Sequence, residues 1–124
     1  MPCVWIKSLP LEGREPAQMC QQVADYLAEH GGYAPEHVAA TWELLASGCY
    51  VTKGLASSVH TASHPIMADV VTPDFMARAQ VTRLLKIVAD GLSETAGVPH
   101  GELFLTYRAV KSGHVFDQGK IVEW

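Results

Sequence analysis

An α+β fold made of two copies of a β-α-β unit follows from three features of the sequence. A strand pattern bracketed by prolines occurs twice, each copy leads into an amphipathic helical pattern, and landmarks of the two halves recur at nearly constant spacing. Pro2 and Pro10 bracket the first strand pattern and Pro65 and Pro73 the second, 63 residues apart in both cases. Ala24-Asp25 matches Ala89-Asp90, Leu27 matches Leu92, Gly32 matches Gly97 and Thr41-Trp42 matches Thr106-Tyr107, all at a spacing of 65. A right-handed crossover makes the two strands of each unit parallel. The expectation is one four-stranded mixed sheet with both helices on one face. A single domain then covers residues 1–124, with pseudo-repeats at about 2–46 and 65–110 and a terminal hairpin at about 113–122.

The first strand occupies about residues 3–8, where Cys3, Trp5 and Lys7 alternate with Val4, Ile6 and Ser8. After it, Pro16 suits the first turn of a helix, where its missing N–H has no partner to lose. Met19, Val23, Tyr26 and Leu27 recur at helical spacing, and Gly31-Gly32 provides the left-handed stop. Residues 38–45 alternate as a second strand. Residues 47–63 are small, polar and glycine-bearing, a loop long enough to suggest function. The third strand is expected at 65–71, with Thr72 as N-cap of the second helix and Pro73 behind it. Val81, Leu84, Leu85, Val88 and Leu92 form that helix's apolar stripe, and Gly97 and Pro99 end it. A strongly β-prone fourth strand follows at 102–108. The terminal hairpin turns near Asp117-Gln118-Gly119.

With 124 residues, 48% of them hydrophobic, the chain can bury a core. A net charge of −4 without a basic stripe argues against nucleic acid and anionic membrane surfaces as partners. No apolar run approaches the ~18 residues of a membrane span. Met1-Pro2 leading straight into a strand does not read as a signal peptide, so a cytoplasmic location is expected. Cys3, Cys20 and Cys49 are odd in number and widely spaced, which fits buried thiols better than disulfides or a zinc knuckle. His60 and His64 stand four apart, the helical spacing of a zinc pair, but in a stretch that reads as loop and without further ligands at suitable spacing. No metal site is expected.

The start of the chain carries the most chemistry. A methionine followed by proline is normally trimmed, which would leave Pro2 as a secondary amine at the end of a rigid strand. An α-amino group titrates near ~7.7–8.0, an apolar site lowers that value, and a general base works best near ambient pH. Alternatively, Pro2 only begins a strand, where it needs no N–H. Asp69, in the middle of the third strand, is expected to face an oligomer's interior, paired or hydrated, because an unpaired charge there is costly.

Two short β-α-β units, a proline directly after the initiator and the turn Leu11-Glu12-Gly13-Arg14 together resemble the tautomerase superfamily over nearly the whole chain. The first half looks like a 4-oxalocrotonate tautomerase unit, including Gly48-Cys49-Tyr50 after the second strand. The second half, 102–121 especially, looks more like macrophage migration inhibitory factor, in which one chain carries both units. A fused two-repeat member is the expectation. The resemblance implies a homotrimer, no cofactor, a small-molecule carboxylate or enol substrate, and Pro2 as the catalytic base. It also implies that Arg14 binds a substrate carboxylate through its planar fork, that Tyr50 is an aromatic wall, and that Phe104, Thr106 and Phe116 line the pocket. Other cations of the family are replaced here, by Ala39, Tyr33 and Pro73-Asp74. A dianionic substrate would therefore need Lys53, Arg78 or Arg108, and a monocarboxylate or neutral enol fits better. The expected function is a cofactor-independent tautomerase (an isomerase) acting on a small 2-oxo/2-hydroxy-enoate type compound. The alternative is a catalytically inactive tautomerase-fold binding or scaffold protein, since a retained Met1 would turn the Pro2 nitrogen into an amide.

Overall fold

A computed structural model describes residues 2–51 and 66–124. Its main sheet contains β1 (Cys3–Ser8), β2 (Ala39–Leu44), β3 (Ile66–Pro73) and β4 (Leu103–Val110) in the order β2-β1-β3-β4. Helix α1 (Pro16–Gly31) joins β1 to its parallel neighbour β2, and α2 (Arg78–Ala96) joins β3 to its parallel neighbour β4. The central pair, β1 and β3, is antiparallel, with Cys3 opposite Val71 and Lys7 opposite Met67. The sheet is therefore mixed, and the two β-α-β units run in opposite directions across its centre. A small ribbon, β5 (Val115–Asp117) with β6 (Lys120–Val122), follows β4.

Both helices lie on one face because the strands offer one apolar face to them. Val4 and Ile6 of β1 and Ile66, Ala68 and Val70 of β3 are buried against Met19, Val23 and Leu27 of α1 and Leu84, Val88 and Leu92 of α2. Each of these side chains larger than Ala68 contributes about 1.5–3 kcal/mol when removed from water. Ser8, fully buried at the end of this face, accepts a hydrogen bond from Trp42 Nε1 at 3.0 Å. Gly32 and Gly97 close the helices with φ of 72° and 70°, the left-handed conformation that side chains resist.

Three details differ from the sequence reading. The thiols are not buried as expected: Cys3 and Cys20 are half-buried and Cys49 is exposed. Tyr26 is half-buried at the helix–helix contact, where its ring lies against Gly91, instead of entering the core with Val23 and Leu27. Thr72 does not cap α2: β3 runs on to Pro73, and the Thr72 hydroxyl donates to the Pro73 carbonyl at 3.0 Å and contacts Tyr107 OH. The N-cap of α2 is Ala77, whose backbone N–H donates to Gln80 Oε1 at 2.7 Å. The glutamine thus supplies half of a capping box without a capping hydroxyl. Pro65, Lys53, His60 and His64 lie outside the described residues.

Candidate active site

Strand register fixes which residues can meet. Pro2 precedes Cys3, and its carbonyl accepts from Ala39 N–H at 3.1 Å, so it sits at the end of the sheet where β2 begins and β3 finishes. Its side chain is fully buried. Ser8 marks the opposite end, about 20 Å away at ~3.3 Å per strand residue.

On the face of the sheet that the helices leave bare, and reaching Cys3, the residue after Pro2, lies a cavity of about 420 Å³. Cys3, Val71, Pro73 and Val110 of the main sheet form its floor, and Val115, Asp117 and Val122 of the ribbon and Trp124 form its roof. Alternation builds the roof: Val115, Asp117 and Val122 are half-buried, while their neighbours Phe116 and Ile121 are 71% and 55% exposed. Trp124 is held by three contacts. Its Nε1 donates to Asp74 Oδ1 at 2.9 Å, its backbone N–H donates to Ser112 Oγ at 2.8 Å, and its ring meets Phe75 edge-on at 6.5 Å. Burial pushes the Cys3 thiol above its ordinary pKa, and the Asp117 carboxylate adds to the rise.

The residues singled out in the sequence divide between the two ends of the sheet. Phe116 lines the cavity that begins at Cys3. Phe104, 62% exposed, stands opposite Met67 on the bare face, towards the Ser8 end. Tyr50, half-buried, follows the turn after β2 at that same end, where Leu45 N–H bonds to the Ser8 carbonyl at 2.8 Å. Arg14 is there too: its Nη1 donates to the carbonyl of Thr95, in the last turn of α2, at 2.8 Å. Thr106 occupies the middle of the bare face and donates to Asp69 Oδ1 at 2.8 Å. Within one chain, then, only Phe116 of this set stands at the Pro2 end of the sheet.

Asp69 is paired as well as placed. Its other oxygen takes the Arg108 guanidinium, which also lies 5.4 Å over the Trp5 ring. Asp117 and Trp124 were missed in the sequence. Period-two alternation through Val115-Phe116-Asp117 was a signal that could have placed Asp117 on the sheet side, but the run reads first as a turn. Among the described residues no group of three or more His, Cys, Asp and Glu could hold a metal ion. Among them, too, no helix is long and apolar enough to cross a membrane.

No family model and no curated protein matches the chain. Solved structures do. A protein inactivated by 2-oxo-3-pentynoate aligns with a TM-score of 0.77 and 18% identity, over 97% of this chain and 94% of that one. A fused 4-OT described as an asymmetric trimer aligns with a TM-score of 0.74 and 14% identity over 96% and 94%. Macrophage migration inhibitory factor from Oncomelania hupensis aligns with a TM-score of 0.71 and 10% identity over 98% and 97%. At these identities the likeness is one of fold, and it extends over nearly the entire chain.

Proposed function

From a chain that has the tautomerase-superfamily fold in its fused, two-unit form, we propose a cofactor-independent keto–enol tautomerase with Pro2 as general base. The observation that carries this reading is Pro2 at a strand end, fixed through Ala39, with an apolar cavity that begins at the next residue, Cys3. Once Met1 is removed, the Pro2 amine takes a proton from the carbon next to the substrate carbonyl and returns it at the enol's other end. An apolar surrounding favours the neutral amine that the first step needs.

A homotrimer completes the site. The bare face exposes Trp5 and Phe104 at its surface, 48% and 62% accessible, an apolar area that association would cover. Fused 4-OT structures are trimers, both asymmetric and symmetric. In this arrangement a neighbouring chain offers its Ser8 end to Pro2 and brings Arg14 to a substrate carboxylate, with Tyr50, Phe104 and Thr106 as walls. Only a neighbour can do so, because all four stand away from Pro2 in their own chain. The test incubates the protein with phenylenolpyruvate and follows its ultraviolet decay. Wild type should outpace Pro2→Ala by a factor of ~100 or more, the usual span of general-base contributions. Equal rates would remove Pro2 from the mechanism.

A further inference from the structure

We infer that Asp117 sets specificity for the substrate's tail: the chamber that begins at Cys3, the residue after Pro2, accepts an uncharged apolar or aryl end and rejects one that terminates in a carboxylate. The inference rests on the proposed reading of Pro2 as the reacting end and says which molecules can reach it.

Three observations carry it. The chamber holds about 420 Å³, room for a substituted phenyl ring, and valines at 71, 110, 115 and 122 make up much of its wall. Such a surface favours apolar groups and compensates poorly for a lost hydration shell. Among the described residues its lining includes no Lys or Arg, and its one acidic side chain is that of Asp117. Lys120 stands opposite Asp117 in the ribbon, but the two form no ion pair. His114 lies at the exposed rim, in the turn before β5.

The field of Asp117 reaches the floor of the chamber. It acts on the Cys3 thiol, the residue next to Pro2, in the direction that opposes a second negative charge. A ligand carboxylate pushed into this space would meet a like charge across apolar walls, where screening by solvent is weaker than at an open surface.

The experiment uses two stable acids that cannot enolise into substrates, 3-phenylpropanoate and 3-(4-carboxyphenyl)propanoate. They share a head carboxylate and differ in the tail alone. Binding to the wild-type protein is titrated by calorimetry or through tryptophan fluorescence, since Trp5 and Trp124 line the chamber. The phenyl compound should bind about tenfold more tightly or better, the size expected for one like-charge pair at intermediate dielectric. Asp117→Asn should bring the two affinities within roughly threefold by removing that charge. Asp117→Ser serves as a second variant, and circular dichroism checks that each is folded. Equal affinities in wild type, or a gap that survives both substitutions, would overturn the inference. Turnover is read separately. Loss of the enol reaction with the gap intact would strike the general-base reading alone, and turnover with no gap would strike the role of Asp117 alone.

Discussion

Arg14 Nη1 donates to the Thr95 carbonyl at 2.8 Å, which fastens the turn after β1 to the C-terminal end of α2. The last carbonyls of a helix lack partners within it, and a cation there also meets the negative end of the helix dipole. Arg14→Ala should therefore lower stability by about 1–2 kcal/mol, read as a shift in the urea midpoint. A second test lies at the adjoining glycine. Gly97 has φ of 70°, and an added Cβ would come within 2.5 Å of Arg14 Nη2. Gly97→Ala should cost about 1–2 kcal/mol from backbone strain alone and disturb the Arg14 contact as well. If both variants unfolded at the wild-type midpoint, the contact would have no stabilising role.

The pair on the bare face should behave differently from an ordinary surface pair. Asp69 is 21% exposed in its side chain and is held by both Arg108 and Thr106, whereas Lys7 and Glu43 are 4.0 Å apart and more than half exposed. Arg108→Ala leaves a partly buried carboxylate with one partner and removes a cation from the face of Trp5, a loss of about 1–3 kcal/mol. Lys7→Ala should stay within about 1 kcal/mol, as exposed pairs do. Chemical denaturation of the two variants side by side reads the contrast, and similar costs would contradict it.

The thiols supply a pH prediction. Burial raises both Cys3 and Cys20 above the ordinary thiol value, while Cys49 is exposed. Since the thiolate is the reactive form, iodoacetamide should label Cys49 first near pH 8 in the folded protein. All three should label together in urea. The folded chain holds the Cys3 and Cys20 protons more tightly than the unfolded chain does, so their contribution is complete below the unfolded thiol value. It is lost as pH rises through the raised values. Mass spectrometry of timed digests decides the order, and early labelling of Cys3 would contradict it.

Sheet and helices were legible because period-two and helical patterns each occur twice in the sequence at matching positions. Val4, Ile6, Val23 and Leu92 declare their faces through spacing alone, and they are core residues in the structure. Thr72 misled because a hydroxyl before proline looks like a cap, while its pairing with Ala109 across β3 and β4 is a long-range fact. The site was less legible for the same reason. Nothing local tells that Arg14 will reach Thr95, 81 residues away, or that Trp124 will bond to Asp74, 50 residues away. Asp117 was visible as part of a turn and invisible as a wall, since its meaning depends on where the ribbon folds back.

Association is the next expectation. Sedimentation equilibrium should give three times the 13.5 kDa of the single chain. Phe104→Glu should shift the distribution towards monomer without unfolding it, because Phe104 is 62% exposed and outside the core of its own chain. A wild-type monomer at micromolar concentration would contradict the shared site, and a folded variant that stayed trimeric would remove Phe104 from the interface.

The proposed chemistry stands on a free amine at Pro2, and intact-mass spectrometry of untagged protein from a native source tests that most directly. The predicted mass is that of the chain without Met1, in protein that also turns over phenylenolpyruvate. A mass that includes Met1 would contradict the general-base mechanism, since the Pro2 nitrogen would then be an amide with no basicity.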